Sequence, residues 1–374
     1  MREEYDYVVI GAGIFGMYAT LLVAQKGYRV AIVDSEMDTI KRASYVNQAR
    51  LHNGYHYPRS FTTALKCSEY YRRFASDFDF AINDTYKSVY GVSSAYSFVT
   101  GNQFQKFTND VGIFARKIDP ELYFSSHRVE AAFETEESSF DAALIRRYLV
   151  DVLKEYKNCE FKLGCDLESA ELIGDKYQLH WGNGGGESLT PNVINATYAG
   201  INQIHEKFGF DLMPLKYELT EVIRVNVNEY ISDVGLTLMD GPFFSIMPFG
   251  LSGYHSLTSV ELTPHAESRD SLPLFECQNH FTNNCTPSSL KNCTECAARP
   301  ESAWPYMHQL ARTFLNPSIN LNYVDSLYTI KTILATTEVD DSRPTLILEL
   351  SQNPRFISVL SGKFNTIYDL EDII

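Results

Sequence analysis

Read as hydrophobic and polar positions, the chain opens on an apolar run at 7–10, breaks at a cluster of glycines, and resumes with a helix-like stretch over 17–26 and a second apolar run over 28–33. Short apolar runs bounded by glycine read as buried strands, and the segment between them as a crossover helix. The same reading predicts a helix over 141–156, with Leu144, Leu149, Val152 and Leu153 at helical spacing, then strands over 159–163, 167–172 and 177–181. Gly182-Asn183-Gly184-Gly185-Gly186 reads as a hairpin turn. Beyond Gly200 the pattern changes to alternation, as in 217–225 and 243–247, which predicts an antiparallel sheet. The chain is therefore expected to be α/β, with a Rossmann-like part and a second, antiparallel-β part.

The first break carries chemistry. Gly11-Ala12-Gly13-Ile14-Phe15-Gly16 follows the first strand directly, and the second strand ends at Asp34, 18 residues beyond Gly16. Gly11 allows a tight exit from the strand, Gly13 leaves room for a pyrophosphate, and Gly16 lets the helix pack close to the sheet. The helix N-terminus offers unpaired N–H groups to phosphate. Asp34 is placed to accept hydrogen bonds from ribose hydroxyls, and its charge repels a 2′-phosphate. With flanking strands, helix and terminal acid all present, the motif reads as a dinucleotide site.

Two other stretches bear on which dinucleotide. Residues 191–200 form a β-branched strand that ends in small residues, Asn195-Ala196-Thr197 and then Gly200, where another backbone or a cofactor can come close. Near the other end, Arg343-Pro344 precedes an apolar strand over 356–360 and then Ser361-Gly362-Lys363-Phe364-Asn365-Thr366. That is a strand, a glycine turn and a helix start able to face an electron-rich ring. The first motif alone fits FAD as well as NAD, and both ends of the chain build one cofactor site.

Bulk properties exclude several classes. At 374 residues and 44% hydrophobic the chain can bury a large core and is long enough for two domains. A net charge of -15 argues against binding nucleic acid or an anionic membrane through bulk charge. No apolar run reaches the roughly 18 residues of a spanning helix. Arg2 is followed by Glu3 and Glu4, unlike the basic leader of a signal peptide, so cytoplasmic residence is the expectation.

The order of these motifs resembles the D-amino-acid oxidase-type superfamily of FAD oxidoreductases. Within it, Leu51-His52-Asn53-Gly54-Tyr55-His56-Tyr57-Pro58, followed by Ala64-Leu65-Lys66-Cys67, is similar to a His-containing segment of the L-2-hydroxyglutarate oxidase/dehydrogenase branch. The resemblance implies a glutathione-reductase-type FAD-binding domain assembled from 1–75, 140–203 and 335–374. A substrate domain would comprise 76–139 and 204–334, with a Cys-rich insertion at 277–296. Noncovalent FAD is expected over the length of the fold, with Leu167 passing the adenine and Ser35, Ser44 and Asn53 beside the motif residues. Two departures stand out: Lys363-Phe364-Asn365 replaces a His or Gly-rich run, and Gln48-Ala49-Arg50 replaces small, hydroxylated residues.

Such chemistry asks the protein to hold a donor carbon near the flavin, manage one proton and stabilise a reduced ring. His52 and His56 are the candidates for proton handling, since imidazole titrates near neutrality. Arg343 could fork onto a substrate carboxylate. Lys363 sits where a positive charge would support reduced flavin. If 253–258 is a strand, Tyr254 and His255 point to opposite faces, and His255 is the one expected to face the pocket. The expected reaction removes a hydride from a small 2-hydroxy acid, amino acid or amine, with oxygen, a quinone or another acceptor as partner. A redox-neutral flavoenzyme acting on a sugar derivative and a non-catalytic FAD-fold scaffold are the alternatives.

Cys277, Cys285, Cys293 and Cys296 are spaced C-x7-C-x7-C-x2-C, with His280 as a spare ligand. The spacing leaves three states open: a structural zinc, free thiols, or disulfides.

Overall fold

The computed structural model describes residues 2–280, 284–335 and 344–374. A six-stranded sheet runs in the order Cys159–Leu163, Val30–Asp34, Tyr7–Ile10, Asn192–Asn195, Arg355–Leu360 and Leu346–Gln352. Its pairings are parallel except for the last, which is antiparallel. The strands Tyr7–Ile10 and Val30–Asp34 are apolar because both faces are covered. One cover is the helix Ile14–Gln25, buried along most of its length and packed on the helix Ala142–Glu155. The second helix starts where Asp141 caps it, its carboxylate accepting from the backbone N–H groups of Ala143 and Leu144. The hairpin Lys176–Trp181/Gly186–Thr190 belongs to a separate four-stranded sheet.

The second large sheet has nine strands, drawn from 87–135 and 215–334. Its long strand Leu215–Val227 pairs with Leu321–Leu334, Pro264–Ser268 and His255–Ser259, all antiparallel. The alternation over 217–225 predicted this antiparallel sheet, but it marks no solvated face: Glu218, Thr220 and Glu221 are buried with the apolar positions. The helix Trp304–Phe314 covers one face, and the other looks toward the parallel sheet. The inward carboxylates are satisfied locally. Glu218 receives Lys331 Nζ at 2.5 Å, and Glu221 accepts from Ser302, Ala303 and His265.

The apolar pattern did not announce two helices: Phe61–Asp77, which packs on the C-terminal segment Phe364–Asp372, and Gly101–Val111, which packs on the strands Ala115–Ile118 and Val129–Thr135 at the second sheet's edge. The latter begins with a capping box, Thr100 with Gln103, a local signal present in the sequence. At the C-terminus the turn after Gly362 enters a 3₁₀ helix, Phe364–Asp372, and not an α-helix. A three-stranded ribbon, Arg50–Leu51, Ser138–Phe140 and Ile82–Asn83, lies between the two large sheets.

Gly16 is the tightest point of the crossover: a Cβ there would lie 1.7 Å from the Gly11 carbonyl oxygen, which is backbone and cannot swing away. Gly16→Ala is expected to cost about 1–3 kcal/mol or more as overpacking. Urea unfolding checks this; an unchanged midpoint would contradict the close helix–sheet approach.

Candidate active site

A cavity of about 950 Å³ runs along the carboxyl ends of the parallel strands and beneath the second sheet. At one end lie Ile10 to Phe15, Val33 to Ser35 and Ser44; at the other lie His52, His56, Tyr57, Lys363 and Phe364.

The glycine end is built as a cradle. Gly11 has φ +102°, and a Cβ on it would strike the Ala196 carbonyl at 2.7 Å. A Cβ on Gly13 would meet only Ser44 Oγ, at 3.0 Å, so the other side of this residue faces open space. Ser44 Oγ accepts from Ile14 N at 3.0 Å, at the first turn of the helix. Asp34 accepts from the backbone N–H of Ala12 at 2.6 Å and of Glu36 at 2.8 Å. Burial raises its carboxyl above the usual range, opposed by Arg42 and these two N–H donors. Arg42 donates to Glu36 at 2.7 Å, Ser35 at 3.0 Å and the Leu290 carbonyl at 3.1 Å. Ser288 to Lys291, from the Cys-rich insertion, therefore close over this end. Lys291 adds an ion pair to Asp166 at 3.2 Å.

The other end is aromatic and cationic. Arg50 and Glu137 form an ion pair at 2.8 Å whose side chains are 1% and 0% exposed. Tyr90 donates to the same Glu137 oxygen at 2.5 Å, and Arg50 Nη2 donates to Thr237 at 2.8 Å. Burial raises the Glu137 carboxyl, and the Arg50 guanidinium and Tyr90 hydroxyl partly offset it. Arg50 Nε has no acceptor. Lys363 lies deep in the molecule with part of its surface on the cavity, its ammonium 4.6 Å from the Tyr57 ring centre. Burial, helped by the Arg50 charge, pushes it down to about 7. His52 is 5.8 Å from His56 and 5.7 Å from Tyr57, ring centre to ring centre. Phe364 stacks on Phe140 at 4.1 Å. Toward the outside, Gln48 donates to Thr258 at 2.7 Å, and Arg59 forks onto Asp240 at 2.9 and 3.2 Å beneath Phe98.

Several candidates from the sequence meet here: Gly11, Ala12, Gly13, Ile14, Phe15, Asp34, Ser35, Ser44, His52, His56, Leu167, Ala196, Thr197, Gly200, Gly362, Lys363 and Phe364 line one cavity. Others do not. His255 is buried in its sheet, with Nε2 3.3 Å from the Val234 carbonyl, and is outside the lining. Burial there pushes its imidazole down to about 4, so its assignment to the pocket is withdrawn. Asn53 donates to the Glu136 carbonyl at 2.9 Å and Asn365 to the His52 and Cys67 carbonyls at 3.4 Å, so both brace the walls. Thr366 closes its own turn on the Lys363 carbonyl, and Gly16 packs on Gly11. Arg343 lies outside the described residues. Arg42, Arg50, Gln48, Arg59 and Glu137 were not assigned from sequence.

All seven cysteines are unbridged. Cys277, Cys285, Cys293 and Cys296 line one small second cavity under the insertion. Among the described residues no three His, Cys, Asp or Glu side chains are grouped so as to hold a metal ion, so the zinc reading is dropped. Cys67 is buried outside the main cavity, its thiol pushed up to about 12, which disfavours it as a flavin attachment point. Among the described residues no helix is long and apolar enough to cross a membrane.

The lysine gives a pH test. An unfolded lysine keeps its proton to about pH 10.4, whereas Lys363 releases its proton near 7. Between these values the unfolded state binds more protons, so this side chain makes stability rise with pH. Urea unfolding of FAD-free protein from pH 7 to 10 should show that rise, and Lys363→Met should flatten it; equal slopes would place the ammonium in solvent.

The glycine cradle open at Gly13, the carboxylate of Asp34 and the length of the cavity fit a bound FAD. Comparisons with known proteins agree. A family model described as FAD dependent oxidoreductase matches residues 6–265. FAD-dependent monooxygenase FPY4 of Fusarium mangiferae is 24% identical over 360 residues, 96% of this chain and 87% of that protein. Among solved structures, NikD, an amino acid oxidase of nikkomycin biosynthesis, superposes with a TM-score of 0.68 at 16% identity, covering 97% of this chain and 91% of that one. Glycine oxidase from Geobacillus kaustophilus gives 0.65 at 13%, covering 98% and 91%. FAD-bound L-alpha-glycerophosphate oxidase from Mycoplasma pneumoniae gives 0.67 at 12%, covering 98% and 92%. These likenesses reach the superfamily and do not single out the L-2-hydroxyglutarate branch. With a family match spanning more than two-thirds of its length, the chain belongs to the FAD-dependent oxidoreductases.

Proposed function

We propose that the protein oxidises a small anionic substrate, an amino acid or 2-hydroxy acid, at the cavity end formed by His52, His56 and Lys363. The observation that carries this reading is the lysine. Arg50 already has its counter-charge in Glu137, but no described carboxylate pairs with Lys363, and Arg50 Nε also lacks an acceptor. An enclosed cation of this kind is costly unless an anion completes it. The amino acid oxidase and glycerophosphate oxidase names among the structural likenesses support donors that carry an anionic group.

FAD, when bound, would accept the two electrons of the donor carbon. The chain's own residues do the rest. Gly13 and the first turn at Ile14 would hold the pyrophosphate, and Asp34 the ribose. Lys363 would orient the anionic group and, with its charge, favour the reduced state. His52 would take the amine or hydroxyl proton. The aromatic wall of Tyr57, Phe140 and Phe364 would exclude water and so strengthen each of these interactions.

Anaerobic rapid mixing of FAD-loaded protein with amino acids and 2-hydroxy acids tests the proposal, the flavin bleaching on oxidation of the right donor. His52→Ala should slow that bleaching by about 10²- to 10⁴-fold with little change in substrate binding. Lys363→Met should instead weaken carboxylate binding about ten- to a hundredfold, the size of one lost charge-assisted hydrogen bond. In the parent, carboxylate affinity should fall as pH rises through about 7 and Lys363 loses its proton. A parent-like reduction rate in His52→Ala removes the proton acceptor; parent-like affinity in Lys363→Met removes the anionic substrate. Turnover of a sugar nucleotide only after prior flavin reduction would return the redox-neutral alternative.

A further inference from the structure

Glu137 sits between the strands Val129–Thr135 and Ser138–Phe140 and is fully buried. Its two oxygens have different surroundings. Oε2 accepts from both Arg50 Nη1 and the Tyr90 hydroxyl. Oε1 receives no hydrogen bond of normal geometry and faces Nδ1 of His52 at 3.8 Å, and the Asn53 backbone N–H is also directed at the carboxylate. A buried carboxylate oxygen without a hydrogen bond of normal geometry is expensive, and the Arg50 pair leaves this one over. Both sides of the gap are braced: Asn53 holds the Glu136 carbonyl, and Asn365 holds that of His52.

We propose that Glu137 is the positioning residue for His52. Oε1 accepts a hydrogen bond from Nδ1–H, which fixes the tautomer in which Nε2, on the far side of the ring, is unprotonated and takes the substrate's amine or hydroxyl proton. The Nδ1 proton stays on the ring throughout, and the carboxylate stabilises the imidazolium formed. The 3.8 Å separation exceeds the upper limit of an N–H···O bond, about 3.2 Å; catalytic hydrogen bonds are often long in a substrate-free site and tighten in the complex. This proposal rests on the reading of His52 as proton acceptor.

Glu137 is a carboxylate that faces the ring, and other charged groups surround it. Arg50 precedes His52 on the same segment, His56 and Tyr57 follow it, and Lys363 approaches from the C-terminal turn. Behind Glu137 stand Tyr55, Tyr71, Tyr86, Tyr90 and Cys67, each raised by burial above its ordinary range and so uncharged near neutrality.

The test is Glu137→Gln, studied as FAD-loaded protein with flavin content measured. Gln keeps an acceptor for Arg50 and Tyr90 but loses the charge that raises the histidine's affinity for a proton. Flavin reduction at saturating substrate should slow about 10- to 100-fold, with substrate affinity changed little. The acid limb of the rate–pH profile should move to lower pH, because the imidazole then loses its proton more readily. The same shift should appear in a Lys363→Met background, which removes the lysine's own titration. A parent-like rate, or a slower rate with an unmoved acid limb, overturns the proposal; the latter is what a merely structural role gives. Should Glu137→Gln fail to fold or to retain FAD, nitrogen NMR of His52 in the parent holoenzyme decides. A neutral ring protonated at Nδ1 supports the proposal, and one protonated at Nε2 overturns it. If His52→Ala reduces at the parent rate while the Nδ1–H tautomer is present, the proton-acceptor reading has failed and the Glu137–His52 contact stands without a catalytic role. If His52→Ala is slow and the ring carries its proton at Nε2, only the role of Glu137 is lost.

Discussion

The buried Arg50–Glu137 pair is the constraint on which the closed end of the cavity depends. Two charges almost free of solvent are tolerated only where geometry and further hydrogen bonds replace their water. Here Arg50 comes from the ribbon and Glu137 from the link between the large sheet and the ribbon, while the further partners, Tyr90 and Thr237, come from the large sheet. The pair is satisfied only when the ribbon and the large sheet are docked in register. Removing one partner would strand the other charge, at a typical cost of about 3–5 kcal/mol. The site and the packing of the two sheets are thus one problem.

The same pair sets the protonation chemistry around it. Glu137 neutralises Arg50 with one oxygen, and among the described residues no carboxylate pairs with Lys363, the cation proposed to receive the substrate's anionic group. Burial and the neighbouring guanidinium hold that lysine near 7, within range of a pH-dependent response. At the far end the logic differs. There the groups proposed to meet a dinucleotide are backbone N–H donors, Ser44 and Asp34, arranged around Gly11 and Gly16, whose Cβ positions are occupied by other backbone.

How much was legible in the sequence follows from the range of the interactions. The crossover from Tyr7 to Asp34 could be read because strand, turn, helix and acid are consecutive and each glycine has a local steric reason. The strand Cys159–Leu163 and the Asp141-capped helix were legible for the same reason. Lys363 was found because it sits in a turn that closes a strand. Arg50 and Glu137 were not, since 87 residues separate them and neither position has a local pattern that marks a buried charge. His255 was misassigned because strand alternation identifies two faces without saying what covers them. In this sheet both faces are covered, and its side chain went to the Val234 carbonyl. Asn53 and Asn365 lie next to the right residues in sequence, but their amides turned to brace backbone. The cysteine spacing left zinc, free thiols and disulfides open; the four thiols are unbridged and line a small cavity beneath a segment that closes the glycine end.

The central claim is that one cavity joins the glycine cradle to an enclosed cation awaiting an anion. A crystal structure of the FAD-loaded protein with a small carboxylate inhibitor tests it most directly. FAD should extend from Asp34 to Phe364, with the inhibitor's carboxylate about 2.7–2.9 Å from Lys363 Nζ, the distance of a charge-assisted bond. A flavin ring placed elsewhere, or a carboxylate bound away from Lys363, would contradict it.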